Sequence, residues 1–283
     1  MRTQIPEAEQ LLAFYVEAGV DVALGEAPVD RFAERAPDAV ETPAALAAAG
    51  RAMPDGEPKR PLPRLPLKSP ATAAPAASAP AAPEVAVMAA REAAKSAASL
   101  EELRRILQGF EGCALKMTAK QLVFADGNPQ APVMFVGEAP GREEDFEGLP
   151  FVGRSGKLLD RMLAAIGLSR GSAYIANIIP WRPPGNRTPT PQESQICLPF
   201  VLRQIELADP DILVCLGGPA AQALLGGKEG ILRTRGRWFP YQTGTREIRA
   251  IATLHPAYLL RQPLQKRLAW RDFLAIQRAL KGE

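Results

Sequence analysis

Val133-Met134-Phe135-Val136-Gly137-Glu138-Ala139-Pro140-Gly141-Arg142-Glu143-Glu144-Asp145, running on to Leu149-Pro150-Phe151-Val152-Gly153, changes character halfway along. The first four residues are apolar with β-branched valines, the pattern of a buried strand, and Gly-x-x-Pro-Gly then dictates a tight loop at the strand's carboxyl end. In an open α/β sheet that edge is where ligands bind. Carboxylates gathered in the loop, followed by an aromatic between Pro150 and Val152, suit a pocket with charge and a stacking ring. The other reading is a surface loop whose glycines make the turn and whose carboxylates are solvated.

Downstream, the chain alternates strands and helices. Residues 156–168 carry Leu158, Leu159, Met162, Leu163 and Ile166 at helical spacing, and 173–179 reads as a strand that ends in Pro180-Trp181-Arg182-Pro183-Pro184-Gly185-Asn186-Arg187. A helix is expected over 192–208, then a strand over 211–216 leading into Gly217-Gly218 and a short helix. Another strand spans 246–253, His255 to Arg261 is its loop, and 263–280 is the closing helix. This rhythm predicts an α/β fold, a three-layer α/β/α arrangement around a mostly parallel sheet of about four strands.

Upstream, residues 7–24 fit one short amphipathic helix within an N-terminal segment of residues 1–50. Its apolar face either packs back on the main domain or docks on a protein partner. Residues 51–84 are rich in Pro and Ala, with Lys59, Arg60, Arg64 and Lys68, and cannot bury enough apolar surface to offset chain entropy, so a disordered linker is expected. The globular domain is placed at 85–283, beginning with an Ala-rich helix and a second helix whose start, Ser99-Leu100-Glu101-Glu102, has capping-box spacing.

With 283 residues and 47% hydrophobic content the chain has ample material for a core, and a net charge of +3 neither demands nor excludes a polyanionic partner. Three cysteines, Cys113, Cys197 and Cys215, make no paired framework, and the chain opens without an apolar signal core, so a cytoplasmic protein with no membrane segment is expected.

In a doubly wound sheet the four strand-end loops converge on one edge. That would bring Glu138, Glu144, Phe151, Asn177, Asn186 and His255, the chain's single histidine, to one pocket.

Gly137-Glu138-Ala139-Pro140-Gly141 with Glu144-Asp145, then Pro150-Phe151-Val152-Gly153, Asn177, Arg182-Pro183-Pro184 with Asn186-Arg187, and His255-Pro256-Ala257-Tyr258-Leu259-Leu260-Arg261, together resemble the family 4 uracil-DNA glycosylases, in order and with family-like spacing over residues 99–280. The resemblance implies an enzyme, a DNA N-glycosylase, that flips uracil out of DNA and hydrolyses its N-glycosidic bond. Its partner would be uracil-containing DNA and its products free uracil and an abasic site for base excision repair. A monomer is expected.

The chemistry such an enzyme needs can be assigned by residue type. Phe151 would stack on the extruded base, and the Asn177 amide would donate to O4 and accept from N3–H, a pattern that cytosine inverts. Gly137, Ala139 and Asn186 are expected to line the base site. A neutral His255 would donate to O2 as negative charge develops there; the alternative is a histidine that only caps its loop.

Glu138 and Glu144 are both open as the carboxylate that orients water or steadies the sugar cation, because Ala139 stands where other families carry an Asp. Gly141 stands where other families place a Tyr against the thymine methyl, so thymine must be excluded from elsewhere, a role that Glu144 or the Phe151 wall could supply. DNA grip is assigned to the Gly217-Gly218 amides and to Arg182, Arg187, Arg261 and Lys266. Of Leu259 and Leu260, one is expected to wedge into the duplex and the other to be core.

The resemblance also implies four cysteine ligands to an iron-sulfur cluster, and here the sequence departs from it. The matching positions are Phe110, Cys113, Trp181 and Cys197. Two thiolates cannot hold a cluster that takes four, so no metal and no cofactor are expected. Two other functions stay open: a slow or silent uracil-DNA sensor that recruits a partner through its N-terminal region, and a phosphate- or nucleotide-binding hydrolase, which the absence of a Gly-Lys-Ser/Thr cradle disfavours.

Overall fold

The computed structural model describes residues 83–283. The expected helix over 7–24 and residues 51–82 of the expected linker lie outside the described residues. The first helix, α1 (Pro83–Ser96), begins at Pro83, so the last two residues assigned to the linker are helical. Proline suits a first helical turn because its missing N–H is one that the turn leaves unpaired anyway.

Helix α2 (Leu100–Gly109) starts where the capping residues predict. Ser99 Oγ accepts the Glu102 N–H at 3.1 Å, and Glu102 reaches back one residue further than a capping box requires, to the Ala98 N–H at 2.8 Å. A short helix, α3 (Leu115–Thr118), precedes the sheet.

Among the described residues six strands form one sheet: β1 (Asp126–Gly127), β2 (Val133–Gly137), β3 (Tyr174–Asn177), β4 (Ile212–Leu216), β5 (Trp238–Gln242) and β6 (Glu247–Thr253), in the order β1-β3-β2-β4-β6-β5. The inner four, β3-β2-β4-β6, run parallel and are the four expected from the sequence. The structure corrects the count by adding β1 and β5, each antiparallel at an edge. A two-residue strand carries no alternation to read, and β5 contains Pro240, whose missing N–H only an edge can spare.

Every residue of β2 and β4 is buried, as strands covered on both faces must be. The pleat divides them: Val133 and Phe135 face α5 (Arg154–Ala165) and α10 (Lys266–Leu280), whereas Met134 and Val136 face α1, α2 and α6 (Pro191–Ala208). The three layers expected from the sequence are therefore present. Two stretches expected as loops are helical instead. They are α4 (Arg142–Glu147), directly after the Pro-Gly turn, and α9 (Pro256–Arg261), directly after His255. Two further helices, α7 (Gly218–Leu225) and α8 (Ile231–Thr234), follow β4, and among the described residues no helix is long and apolar enough to cross a membrane.

Candidate active site

From β2 the chain crosses to β3 on one side and then returns to place β4 on the other side of β2. The loops after β2 and β4 therefore part, and a crevice opens between them at the carboxyl edge. A cleft of ≈ 760 Å³ lies there, and its walls include Glu138, Phe151, Asn177, Gly217 and His255. The six residues expected at one pocket, Glu138, Glu144, Phe151, Asn177, Asn186 and His255, all line this cleft.

Phe151 has φ 57°, in the left-handed region. For a bulky residue this costs about 1–3 kcal/mol and persists only where the surroundings impose it. Glu144 supplies part of that constraint: its Oε1 accepts the N–H groups of Val152 (3.1 Å) and Gly153 (3.0 Å), while Oε2 accepts that of Gly141 (3.0 Å). Gly156 supplies another part, since a Cβ there would stand 1.6 Å from the Phe151 carbonyl oxygen. The Phe151 ring lies 5.4 Å from the His255 ring, tilted by 32°.

Asn177 ends β3, level with Gly137 of β2. Its Oδ1 is buried and has no hydrogen-bond partner among the described residues. Such an atom is costly unless a ligand or water completes it. Gly137 must be glycine for this arrangement, because a Cβ would meet Asn177 Oδ1 at 2.5 Å and the Phe151 ring at 2.6 Å. Gly137 thus shapes the cleft floor from behind rather than lining it.

His255 is the N-cap of α9, and its Nδ1 accepts the Ala257 N–H at 3.1 Å. An accepting Nδ1 leaves the proton on Nε2. Burial, with the nearby Arg261 charge adding to it, pushes the imidazole down to about 4. At neutral pH the ring is therefore an uncharged donor. Gly217, at φ 95°, lets the backbone of the opposite loop close on it, since a Cβ there would lie 3.0 Å from the His255 Cβ.

Glu138 behaves differently from Glu144. Desolvation alone pushes its carboxyl above the usual glutamate range. It stands at the cleft uncommitted, whereas both oxygens of Glu144 are engaged by backbone.

Around the rim, Ala139, Asn186, Gly218 and Arg261 line the cleft as expected, whereas Arg182, Leu259 and Lys266 do not. Arg182 sits behind Asn186, donating to its Oδ1 at 2.7 Å and standing 3.8 Å from Asp145. Arg187 lines the cleft but holds Glu193 through two hydrogen bonds of 2.8 and 2.6 Å. Leu259 is 1% exposed and packs with Leu254 and Ala269, whereas Leu260 is 37% exposed at the cleft wall. That settles which leucine is core. Sequence reasoning passed over Ser155 and Thr188, which lie next to the quoted motifs and also line the cleft, and it gave no role to Tyr258, which stands inside one of those motifs and lines the cleft too.

A family model described as the uracil DNA glycosylase superfamily matches residues 124–274, more than half of the chain. The chain belongs to the uracil DNA glycosylase superfamily. The segment shared with the superfamily holds the whole sheet, from β1 through β6. The chain is 40% identical over 182 residues to a type-4 uracil-DNA glycosylase of Archaeoglobus fulgidus, covering 63% of this chain and 92% of that one. It is 43% identical over 150 residues to the Thermotoga maritima enzyme of the same description (53% and 77%), and 38% over 176 residues to that of Saccharolobus solfataricus (60% and 82%).

The iron-sulfur cluster implied by the family 4 resemblance meets an unsuitable donor set in this superfamily member. Cys113 and Cys197 lie with their sulfurs 3.8 Å apart, both buried. The Cys197 S–H donates to Cys113, which lowers the Cys113 thiol and raises that of Cys197. At the two remaining positions stand aromatic rings without a thiolate: Phe110, edge-on to Phe200 at 5.0 Å, and Trp181, 2% exposed within the α1–α2–α6 core. Two sulfurs and two rings do not fit a four-thiolate cluster. Cys215 lies in β4, where burial raises its thiol to about 12, the mark of an inert core residue.

Proposed function

We propose that the protein is a uracil-DNA glycosylase that rotates deoxyuridine out of DNA into this cleft and hydrolyses its N-glycosidic bond without an iron-sulfur cluster. The observation that carries the reading is the buried, unpartnered Asn177 Oδ1 beside the Phe151 ring and the neutral His255. Uracil offers N3–H to such an acceptor and O4 to the same amide's N–H. Cytosine presents an acceptor at N3 and a donor at N4, leaving two mismatched buried groups.

With the base against Phe151, the C1′–N1 bond breaks and its electron pair moves onto uracil, delocalised to O2. His255 Nε2–H donates to O2 as that charge grows, and it does so as a fixed dipole without yielding a proton. Water adds its oxygen to C1′ on the opposite face of the sugar and loses its proton to Glu138 or to solvent, which leaves an abasic site and the uracil anion, and the anion takes up a proton from solvent to give free uracil. The raised, uncommitted Glu138 suits this role. Glu144, engaged by three backbone amides, is assigned to holding the Phe151 loop.

Glu144 also bears on selectivity. Its Oε2 stands 2.7 Å from where a Cβ at position 141 would be, so it fills the space that a larger side chain would use against the thymine methyl. For DNA, Leu260 would occupy the gap left by the extruded nucleotide, and the α7 amides with Arg261 would meet phosphates. Arg187 would have to exchange Glu193 for a phosphate.

The test is a uracil-containing oligonucleotide incubated with the protein and cleaved with alkali at abasic sites, alongside His255→Ala. Cleavage by the wild type that collapses in the variant supports the reading. Tight binding to uracil-DNA with intact strands would replace it with the sensor.

A further inference from the structure

Arg170 begins a 3-10 turn (Arg170–Ser172) just before β3, and it is not among the residues that line the cleft. Its guanidinium nevertheless reaches the peptide groups on both sides of the strained residue. Nη2 donates to the Phe151 carbonyl and Nη1 to the Pro150 carbonyl, the latter at 3.1 Å. Nε donates to Asp160 of α5 at 2.8 Å, and Nη1 also donates to Asp126 of β1. The two carboxylates hold the fork in place, so the arginine cannot swing away from the carbonyls without abandoning both.

Glu144 grips the carboxyl side of the same residue, accepting the N–H groups of Val152 and Gly153. The peptide before Phe151 is therefore held by Arg170 through the Pro150 carbonyl, and the peptide after it is held at both ends, its carbonyl by the cation and its N–H by the anion. A phenylalanine has no short polar side chain with which to stabilise a left-handed backbone by itself, as Asn or Asp can. Something outside the residue must hold it there, and the guanidinium is the group that engages its own carbonyl. Only a planar fork with several directed donors can serve two backbone carbonyls and two carboxylates at once; an ammonium is a single point of charge.

We infer that Arg170 is a positioning residue for base excision: by holding the Pro150 and Phe151 carbonyls it keeps Phe151 in its left-handed conformation and so sets the ring against which the base is stacked. This deepens the proposed function, on which the kinetic part of the test rests. Loss of the fork lets the Phe151 peptide relax toward ordinary backbone angles and moves the ring relative to His255. The cost falls on the chemical step, where small misplacements of a bound group are amplified, and not on the grip of DNA at the rim.

The experiment compares Arg170→Met and Arg170→Lys, alone and combined with Phe151→Ala, in single-turnover excision and in affinity for uracil-DNA. Arg170→Met is expected to slow excision by about 10-fold or more with DNA affinity changed by less than about threefold, and Arg170→Lys to rescue little of it. In the Phe151→Ala background the same change should add less than about twofold, because residues that act through one another are not additive. An equal factor in both backgrounds would mean that Arg170 acts independently of the ring, and would overturn the inference. A crystal structure of Arg170→Lys, or of Asp160→Asn if the first does not fold, gives a readout that needs no activity. Phe151 leaving the left-handed region is expected there, and Phe151 unmoved would overturn the inference. A wild-type protein that excises nothing would sink the proposed function alone and leave this structural arm decisive.

Discussion

His255 is held neutral by burial and keeps its proton on Nε2 because Nδ1 is already occupied by the Ala257 N–H. His255→Ala should therefore lower single-turnover excision by about 10²–10³-fold, the usual loss for removing one preorganised donor at a developing anion. With a folded value near 4 and an unfolded value near 6.5, the unfolded chain binds the proton first as pH falls. Its contribution to stability is complete above about 6.5 and is lost as pH drops toward 4. Excision should accordingly show no inflection near 6.5. On the proposed function the acid limb should instead follow Glu138, whose carboxyl is raised by desolvation, so that its ionised form is lost at a pH above that of ordinary glutamate. A pH profile of the single-turnover rate checks this, and an unchanged acid limb in Glu138→Gln would remove Glu138 from the role. Asn177→Asp can still accept from N3–H but opposes uracil O4, and a loss of uracil excision on the order of 10²-fold or more is expected in a comparison against the wild type.

At the level of single elements, glycines separate positions of contact from positions of mere flexibility. Gly156 lies in the first turn of α5 with the Phe151 carbonyl where a Cβ would stand, so Gly156→Ala should destabilise the fold by about 1–3 kcal/mol or more and slow excision in parallel. Gly109 ends α2 with nothing within 4 Å of where a methyl would stand, and Gly109→Ala should leave both unchanged or stabilise by a few tenths. Thermal unfolding of the pair measures the contrast. The N-cap of α2 offers a third case: Ser99→Ala removes the acceptor for the Glu102 N–H and should cost about 0.5–2 kcal/mol without touching excision, since no residue of α2 lines the cleft.

Across the molecule, the layer formed by α1, α2 and α6 carries the two aromatic replacements. Trp181 and Phe110 fill the place where the family 4 resemblance implies cysteine ligands, so this layer should hold through side-chain packing alone. Purified protein is expected to be colourless, to bind less than one iron per chain and to keep its unfolding midpoint after treatment with an iron chelator. Trp181→Ala, by contrast, should cost about 3–5 kcal/mol as a large buried ring is deleted. A brown protein with four irons would overturn this account of the layer.

The inner parallel strands, the amphipathic helices between them and the motif residues that meet at the cleft were legible from local pattern. A buried strand shows its continuous apolar run, a packed helix its 3.6-residue stripe, and a strand-end loop its Gly and Pro, whatever lies elsewhere in the chain. Other features depended on partners far away in sequence. The edge strands β1 and β5 exist because β3 and β6 offer them a hydrogen-bonding edge. Leu259 and Leu260 are identical in composition, and only the packing of α9 decides which is buried. Glu138 and Glu144 are equally acidic, yet one stands desolvated at the cleft and the other is consumed by amides from positions 141, 152 and 153. The left-handed turn at Phe151 and the reach of Arg170 to it across nineteen residues leave no local trace, because backbone strain is recorded by the groups that enclose it and not by the residue that bears it.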